Sequence, residues 1–183
     1  MIIAGIDPGL YGAIAFAEYV NVSGVERLVG VKIYDMRVEV DPDNDKRLPS
    51  APGVFEIFRK NRKVNACAFE NPGPRPGSGL SQQWRFALGC GTILASMRCA
   101  VNGSCVVSKV APSAWKKRMG VSKDKNSSLE LARSLFPSCA DLVARAKDDG
   151  RAEALLLITD YMRTMSIQHV NDITAVVPSG CEE

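Results

Sequence analysis

Three apolar stretches, residues 2–7, 10–19 and 28–36, follow one another with only short breaks; two more, 64–70 and 104–111, are set apart by stretches of helical character. The first stops at Asp7-Pro8-Gly9, a strong turn signal, so the first three read as strands joined by hairpins. Val54, Ile57 and Phe58 recur at helical spacing, with Arg59, Lys60 and Arg62 on the other side. Further helices are expected over 82–100, from Pro112, over 127–136 and over 149–165. A strand meander followed by strands alternating with helices predicts an α/β fold with a mixed five-stranded sheet flanked by helices. That is the layout of the ribonuclease H-like fold. Residues 37–52 and 71–79, rich in Pro, Gly and Asp, read as loops.

The chain has 183 residues, a length that suits one domain. The pattern assigns 1–165 to the folded domain and 166–183 to a C-terminal tail. Six cysteines, at 67, 90, 99, 105, 139 and 181, include no Cys-x-x-Cys pair, and His169 is the only histidine. Zinc sites need paired spacings, so free thiols in a reducing compartment are expected. The same scarcity argues against a mechanism built on Ser-His-Asp or Cys-His. No apolar run reaches the roughly 18–20 residues of a membrane span, and the N-terminus lacks the basic start of a signal or transit peptide. A cytoplasmic protein without membrane contact is the expectation.

The candidate chemistry lies in carboxylates. Asp7 and Glu70 each end a strand, and ligands of α/β sheets bind beyond the carboxyl ends of strands. Glu70 also follows the apolar run Ala66-Cys67-Ala68-Phe69, which leads into a buried charge. Asp149 opens the last helix, and Glu153 lies four residues on, hence on the same helix face. If strands one and four are neighbours, all four acids can meet. Carboxylates this close repel unless a cation neutralises them, and an all-oxygen donor set suits Mg²⁺, with Mn²⁺ able to substitute. Two such ions can activate a water and stabilise the leaving oxygen of a phosphodiester. Asp7, Glu70, Asp149 and Glu153 are therefore the candidate catalytic and metal-binding residues.

The charge balance points to the partner. Net charge is +3 overall, yet residues 107–151 hold ten basic residues against five acids. Such an excess fits a polyanion. Lys116, Lys117, Lys123, Lys125 and Arg151 are the candidate contacts to it.

Several motifs recur in a familiar order: Ile3-Ala4-Gly5-Ile6-Asp7-Pro8-Gly9-Leu10, Phe69-Glu70, the Gly-rich run to Gly91, Val110-Ala111-Pro112-Ser113-Ala114-Trp115-Lys116-Lys117, and Lys147-Asp148-Asp149-Gly150-Arg151-Ala152-Glu153-Ala154-Leu155-Leu156. With them the chain resembles the RuvC family of Holliday-junction resolvases, closest to the phage-type and chloroplast-type branch with its Gly-Arg-Ala-Glu-Ala signature. The resemblance covers about residues 2–163. It implies a ribonuclease H-like homodimer that cuts two opposed strands of a four-way DNA junction with a divalent metal. Asp7, Glu70, Asp149 and Glu153 match the catalytic acids by position, with Asp148 a rival for the third. Lys116 and Lys125 match lysines set against the scissile backbone. The helix from Gln82 matches the one at the dimer interface, where Trp84, Phe86, Ile93, Leu94 and Met97 offer apolar surface and Gly89 and Gly91 permit close approach. Two departures stand out: the last two acids are four apart and end in Glu153, and the 71–79 loop lacks the aromatic of the bacterial type, leaving Trp84 and Phe86 as candidates for stacking on bases. Two alternatives are a nuclease of looser taste for forks and flaps and a non-cleaving binder of branched DNA. An actin-like phosphotransferase, which Gly5-Ile6-Asp7-Pro8-Gly9 also suggests, needs two such domains.

Overall fold

The structure, a computed structural model, describes residues 1–43, 45–74, 77–101, 105–122 and 124–171. The elements in chain order are β1 (Ile2–Ile6), β2 (Ala13–Val22), β3 (Val25–Asp35), β4 (Val38–Val40), β5 (Arg47–Pro49), α1 (Ala51–Lys60), β6 (Ala66–Glu70), α2 (Leu80–Ala100), β7 (Val106–Val110), α3 (Pro112–Met119), α4 (Lys125–Leu135), α5 (Asp149–Thr164) and β8 (His169–Val170), with 3₁₀ turns at Pro137–Val143 and Ala146–Asp148. The main sheet runs β7-β6-β1-β2-β3-β8. β1, β2 and β3 form the antiparallel meander, whereas β6 lies parallel to β1 and β7 parallel to β6. The five expected strands are all present, and the mixed sheet flanked by helices is the expected architecture. The two-residue β8 extends it along β3, and the buried Asn171 accepts from the Tyr19 hydroxyl at 2.9 Å, so ordered packing continues past residue 165.

Alternation along the strands divides the core into two layers. Ile3, Ala13, Ala15, Ala17, Tyr19 and Ala68 face a cluster built by α3, α4 and α5. Their neighbours Ala4, Ile6, Ile14, Phe16, Cys67 and Phe69 face α1 and α2. The α5 contribution is large, since Leu155, Leu156, Leu157 and Ile158 are all fully buried, each worth roughly 1.5–3 kcal/mol. It sits unusually close to the sheet. A Cβ on Gly5 would stand 1.9 Å from the Ala154 carbonyl, and one on Gly150 would stand 2.6 Å from the Tyr11 carbonyl. Only glycine allows α5 to lie this close to β1 and its turn.

Within residues 37–52, expected as loop, β4 and β5 pair antiparallel. Strands of three residues flanked by Asp and Pro carry too little alternation to be read from sequence. The hairpin seats on α2, where a Cβ on Gly89 would meet the Pro49 ring at 3.0 Å. Ser50 then caps α1 by accepting from the Gly53 N–H.

Candidate active site

Strand parity and register bring the first two acids together. On β1, Ile3 and the Cα of Gly5 face α5, and Asp7 continues that series. On β6, Ala66, Ala68 and Glu70 do the same. The parallel register pairs Ile6 with Phe69, so Asp7 and Glu70 are next in line on adjacent strands, which lie roughly 4.8 Å apart. Both carboxylates thus emerge at the carboxyl edge of the sheet on the face covered by α5.

Each acid has identified partners. The Asp7 carboxylate accepts from the Gly9 N–H at 3.1 Å across the Asp-Pro-Gly turn. Glu70 is almost wholly buried, and its Oε1 accepts from the indole Nε1–H of the buried Trp115 at 2.8 Å. Glu153, on α5, accepts from the Lys116 ammonium at 2.6 Å and from the Ser128 hydroxyl at 3.2 Å. Asp149 stands one turn earlier on α5 and accepts from the Gly150 N–H at 3.1 Å. Burial, reinforced by the charges of Glu70 and Glu153, pushes the Asp7 carboxyl up from 3.8 to about 7, against the opposing pull of Gly9 and Lys116.

Asp148, the rival for the third acid, is occupied elsewhere. Its Oδ2 accepts from the Arg145 backbone N–H at 2.8 Å, and its carboxylate pairs with the Arg145 guanidinium at 2.9 Å. It closes the turn that leads into α5.

The candidate DNA contacts separate into distinct roles. Lys116 points into the acid cluster, with its ammonium 5.2 Å from the Trp115 ring. Lys117 is exposed. Arg118, the next residue, makes a bidentate pair with the buried Asp160 at 2.8 and 2.6 Å. Arg151 is engaged with Asp35 at 2.5 and 2.6 Å, joining the first turn of α5 to the end of β3. Lys123 and the side chain of Lys125 lie outside the described residues.

Sequence reasoning missed Trp115 and Ser128. A signal for Trp115 existed: a buried indole needs an acceptor, and Glu70 was already a buried charge in search of a partner. The apolar surface attributed to α2 is also redistributed. Ile93 and Met97 are fully buried in the protomer's own core, and Gly89 serves the hairpin. The outward stripe is instead Leu80, Trp84, Leu88 and Gly91, with Trp84 70% exposed.

The donor set around Asp7 is all oxygen, the chemistry of a hard divalent cation. As the side chains lie, no group of three or more Asp, Glu, His or Cys among the described residues converges closely enough to hold an ion, and the Glu153 carboxylate is engaged by Lys116 and Ser128. The five described cysteines are free thiols, and no described helix is long and apolar enough to cross a membrane.

By sequence, no described family and no curated protein matches the chain. By structure it is similar to Thermus thermophilus RuvC, with a TM-score of 0.57 and 18% identity over 91% of this chain and 98% of that one. It is similar also to T. thermophilus RuvC in complex with a Holliday junction substrate, with a TM-score of 0.59 and 16% identity over 92% and 99% of the two chains. A third likeness is to the yeast mitochondrial Holliday junction resolvase Ydc2, with a TM-score of 0.59 and 14% identity over 90% and 78%. These likenesses establish the RuvC, ribonuclease H-like fold expected from the sequence.

Proposed function

We propose that the chain is a metal-dependent endonuclease that resolves four-way DNA junctions. The observation that carries this reading is the juxtaposition of Asp7 and Glu70 on adjacent parallel strands, with Glu153 and Lys116 closing over them from α5 and α3. The RuvC structure solved with a Holliday junction substrate supports the choice of substrate, since the two chains share a fold over nearly their whole lengths.

Asp7, Glu70, Asp149 and Glu153 are the residues that would hold Mg²⁺, or Mn²⁺ in its place, and the ion supplies an activated water and a counter-charge for the leaving oxygen of a phosphodiester. The chain's own groups prepare that site. The Trp115 indole fixes the Glu70 carboxylate, and the Gly9 N–H fixes that of Asp7. Burial raises the energy of both charges and so favours their capture of a cation. Lys116 is the group on α3 able to leave Glu153 for a backbone phosphate. Lys125 is assigned with Lys116 to the scissile backbone, as the resemblance implies, and Lys117 and Lys123 to DNA phosphates. Arg151, engaged with Asp35, orients α5 in this reading and does not touch DNA.

A four-way junction has twofold symmetry, which a homodimer with one repeated interface matches. The exposed Leu80, Trp84, Leu88 and Gly91 stripe on α2 supports that assembly, because a Cβ on Gly91 meets nothing within 4 Å in the protomer. Phe86 is only partly covered on the adjoining face and is the candidate for stacking on bases, with Trp84 assigned to the interface in this reading.

The experiment is cleavage of a synthetic four-way junction, a flap and a linear duplex, with Mg²⁺ and with chelator. Paired, symmetric cuts in the junction, lost with chelator, are the expected result. Asp7→Asn and Glu70→Gln lose metal ligation worth about 4 kcal/mol in the transition state, hence about 10³-fold in rate, while junction binding survives. Equal cutting of flap and junction identifies the looser nuclease. Binding without cutting in any metal identifies the non-cleaving binder.

A further inference from the structure

The β4–β5 hairpin, expected to be loop, forms one wall of a concavity of about 280 Å³ whose other walls are the Pro8–Leu10 turn and the first half of α2. All its charged lining residues are cations: Lys46 and Arg47 from the hairpin and Arg85 from α2. The hairpin connection also carries Asp41, Asp43 and Asp45, yet none of them lines the concavity. Three positive charges from two elements, 38 residues apart in sequence, are thus gathered on one hollow that the neighbouring acids do not enter.

The wall is anchored. Pro49 seats against Gly89 of α2, and the Arg47 guanidinium lies over the exposed Tyr11 ring at 5.6 Å. Its position follows from Pro8, which lines the hollow and adjoins Asp7. Gln82 and Phe86 are shared with a larger concavity of about 550 Å³ that runs beneath the residues after Glu70 to Lys109. Cys90 lines that larger hollow, and its thiol is pushed up to about 11, first by burial and then by the charges of Asp7 and Glu70. The cationic hollow therefore shares a wall with a groove whose lining lies within electrostatic reach of the acids.

We propose that Lys46, Arg47 and Arg85 form a second phosphodiester-binding wall, which holds the DNA backbone on the α1–α2 side of the acid cluster while Lys116 engages it from the α5 side. This rests on the nuclease reading. A cluster of carboxylates repels a phosphodiester, and cations on one side alone would let the strand swing away from the acids. Cations in both helical layers define a path across the carboxyl edge of the sheet.

The test is the salt dependence of junction and duplex binding, read by fluorescence anisotropy in an Asp7→Asn background so that the DNA stays whole. Each lost phosphate contact lowers the slope of log affinity against log salt by roughly 0.7–0.9. A Lys46→Gln, Arg47→Gln double variant is expected to lower it by about 1.4–1.8 and Arg85→Gln by roughly 0.7–0.9. Arg47→Lys, which keeps the charge, is expected to retain the wild-type slope, and circular dichroism checks the fold of each variant. Arg62→Gln, at the opposite end of the sheet, is the control. Unchanged slopes in folded Lys46, Arg47 and Arg85 variants, or an equal loss in the control, overturn the wall and leave the nuclease reading standing. A parent protein that binds neither junction nor duplex overturns both.

Discussion

The Trp115 indole donates a hydrogen bond of 2.8 Å to Oε1 of Glu70 across 45 residues of sequence, with both side chains buried. This contact ties α3 to the end of β6 and sets the orientation of a carboxylate that reaches the site from the interior. Trp115→Phe keeps the aromatic packing and removes the donor. It is expected to cost roughly 1–3 kcal/mol of stability, the penalty for a buried acceptor that loses its partner, and to weaken Mg²⁺ binding. Urea denaturation checks the first and isothermal titration with Mg²⁺ the second. Unchanged values in both would assign the indole to packing alone.

Asp7 sets the pH response of the metal-free protein. Its folded-state carboxyl is raised to about 7, chiefly by burial, against an ordinary 3.8. A raised carboxyl favours the folded state while protonated, so its stabilising contribution is full below about pH 3.8, declines as pH rises, and is gone above about 7. Asp7→Asn imitates the protonated form. In chelator, the stability of this variant is expected to exceed that of the wild type by a margin that grows from pH 4 to 7 and then levels off. Mg²⁺ reverses the shift, so its affinity for the wild type is expected to rise through the same range. Denaturant midpoints across pH check the first claim, and a flat difference would sink it.

The three consecutive cations of α3 are expected to separate experimentally. Lys116→Ala removes a contact with Glu153 and lowers the salt slope of DNA binding by roughly 0.7–0.9 together with cleavage. Lys117→Ala acts on the slope alone. Arg118→Ala leaves the buried Asp160 carboxylate without its guanidinium and is expected to lower stability by roughly 1–3 kcal/mol, with the salt slope unchanged. Salt titrations beside thermal melts resolve the three.

The outward stripe of α2 predicts the assembly. Light scattering of the wild type is expected to give a mass of about twice 19.8 kDa, and Gly91→Arg to give the monomer, since the new side chain meets open space in the protomer and a partner in the dimer. Wild-type protein at the monomer mass, with and without junction DNA, would refute the dimer.

That β1 and β6 lie side by side was decided by the tertiary structure, but the sequence by itself determined that Asp7 and Glu70 each end a strand at a Pro-containing turn and continue the period-2 alternation of that strand. It likewise determined that Asp149 and Glu153 share a helix face, because the 3.6-residue period is local. Only the tertiary structure decided which groups complete those acids and which cations are already engaged. Trp115 reaches Glu70, Lys116 reaches Glu153, Arg151 is held by Asp35 and Asp148 by Arg145, and nothing in the run Lys116-Lys117-Arg118 announces that its members point to three different places. The β4–β5 hairpin belongs to the same class: strands of three residues hold too little pattern to be seen alone, and they form because α2 offers Gly89 as a seat for Pro49. Periodicity is written within a segment, whereas a long side chain's partner is chosen by whichever distant segment packing brings within reach.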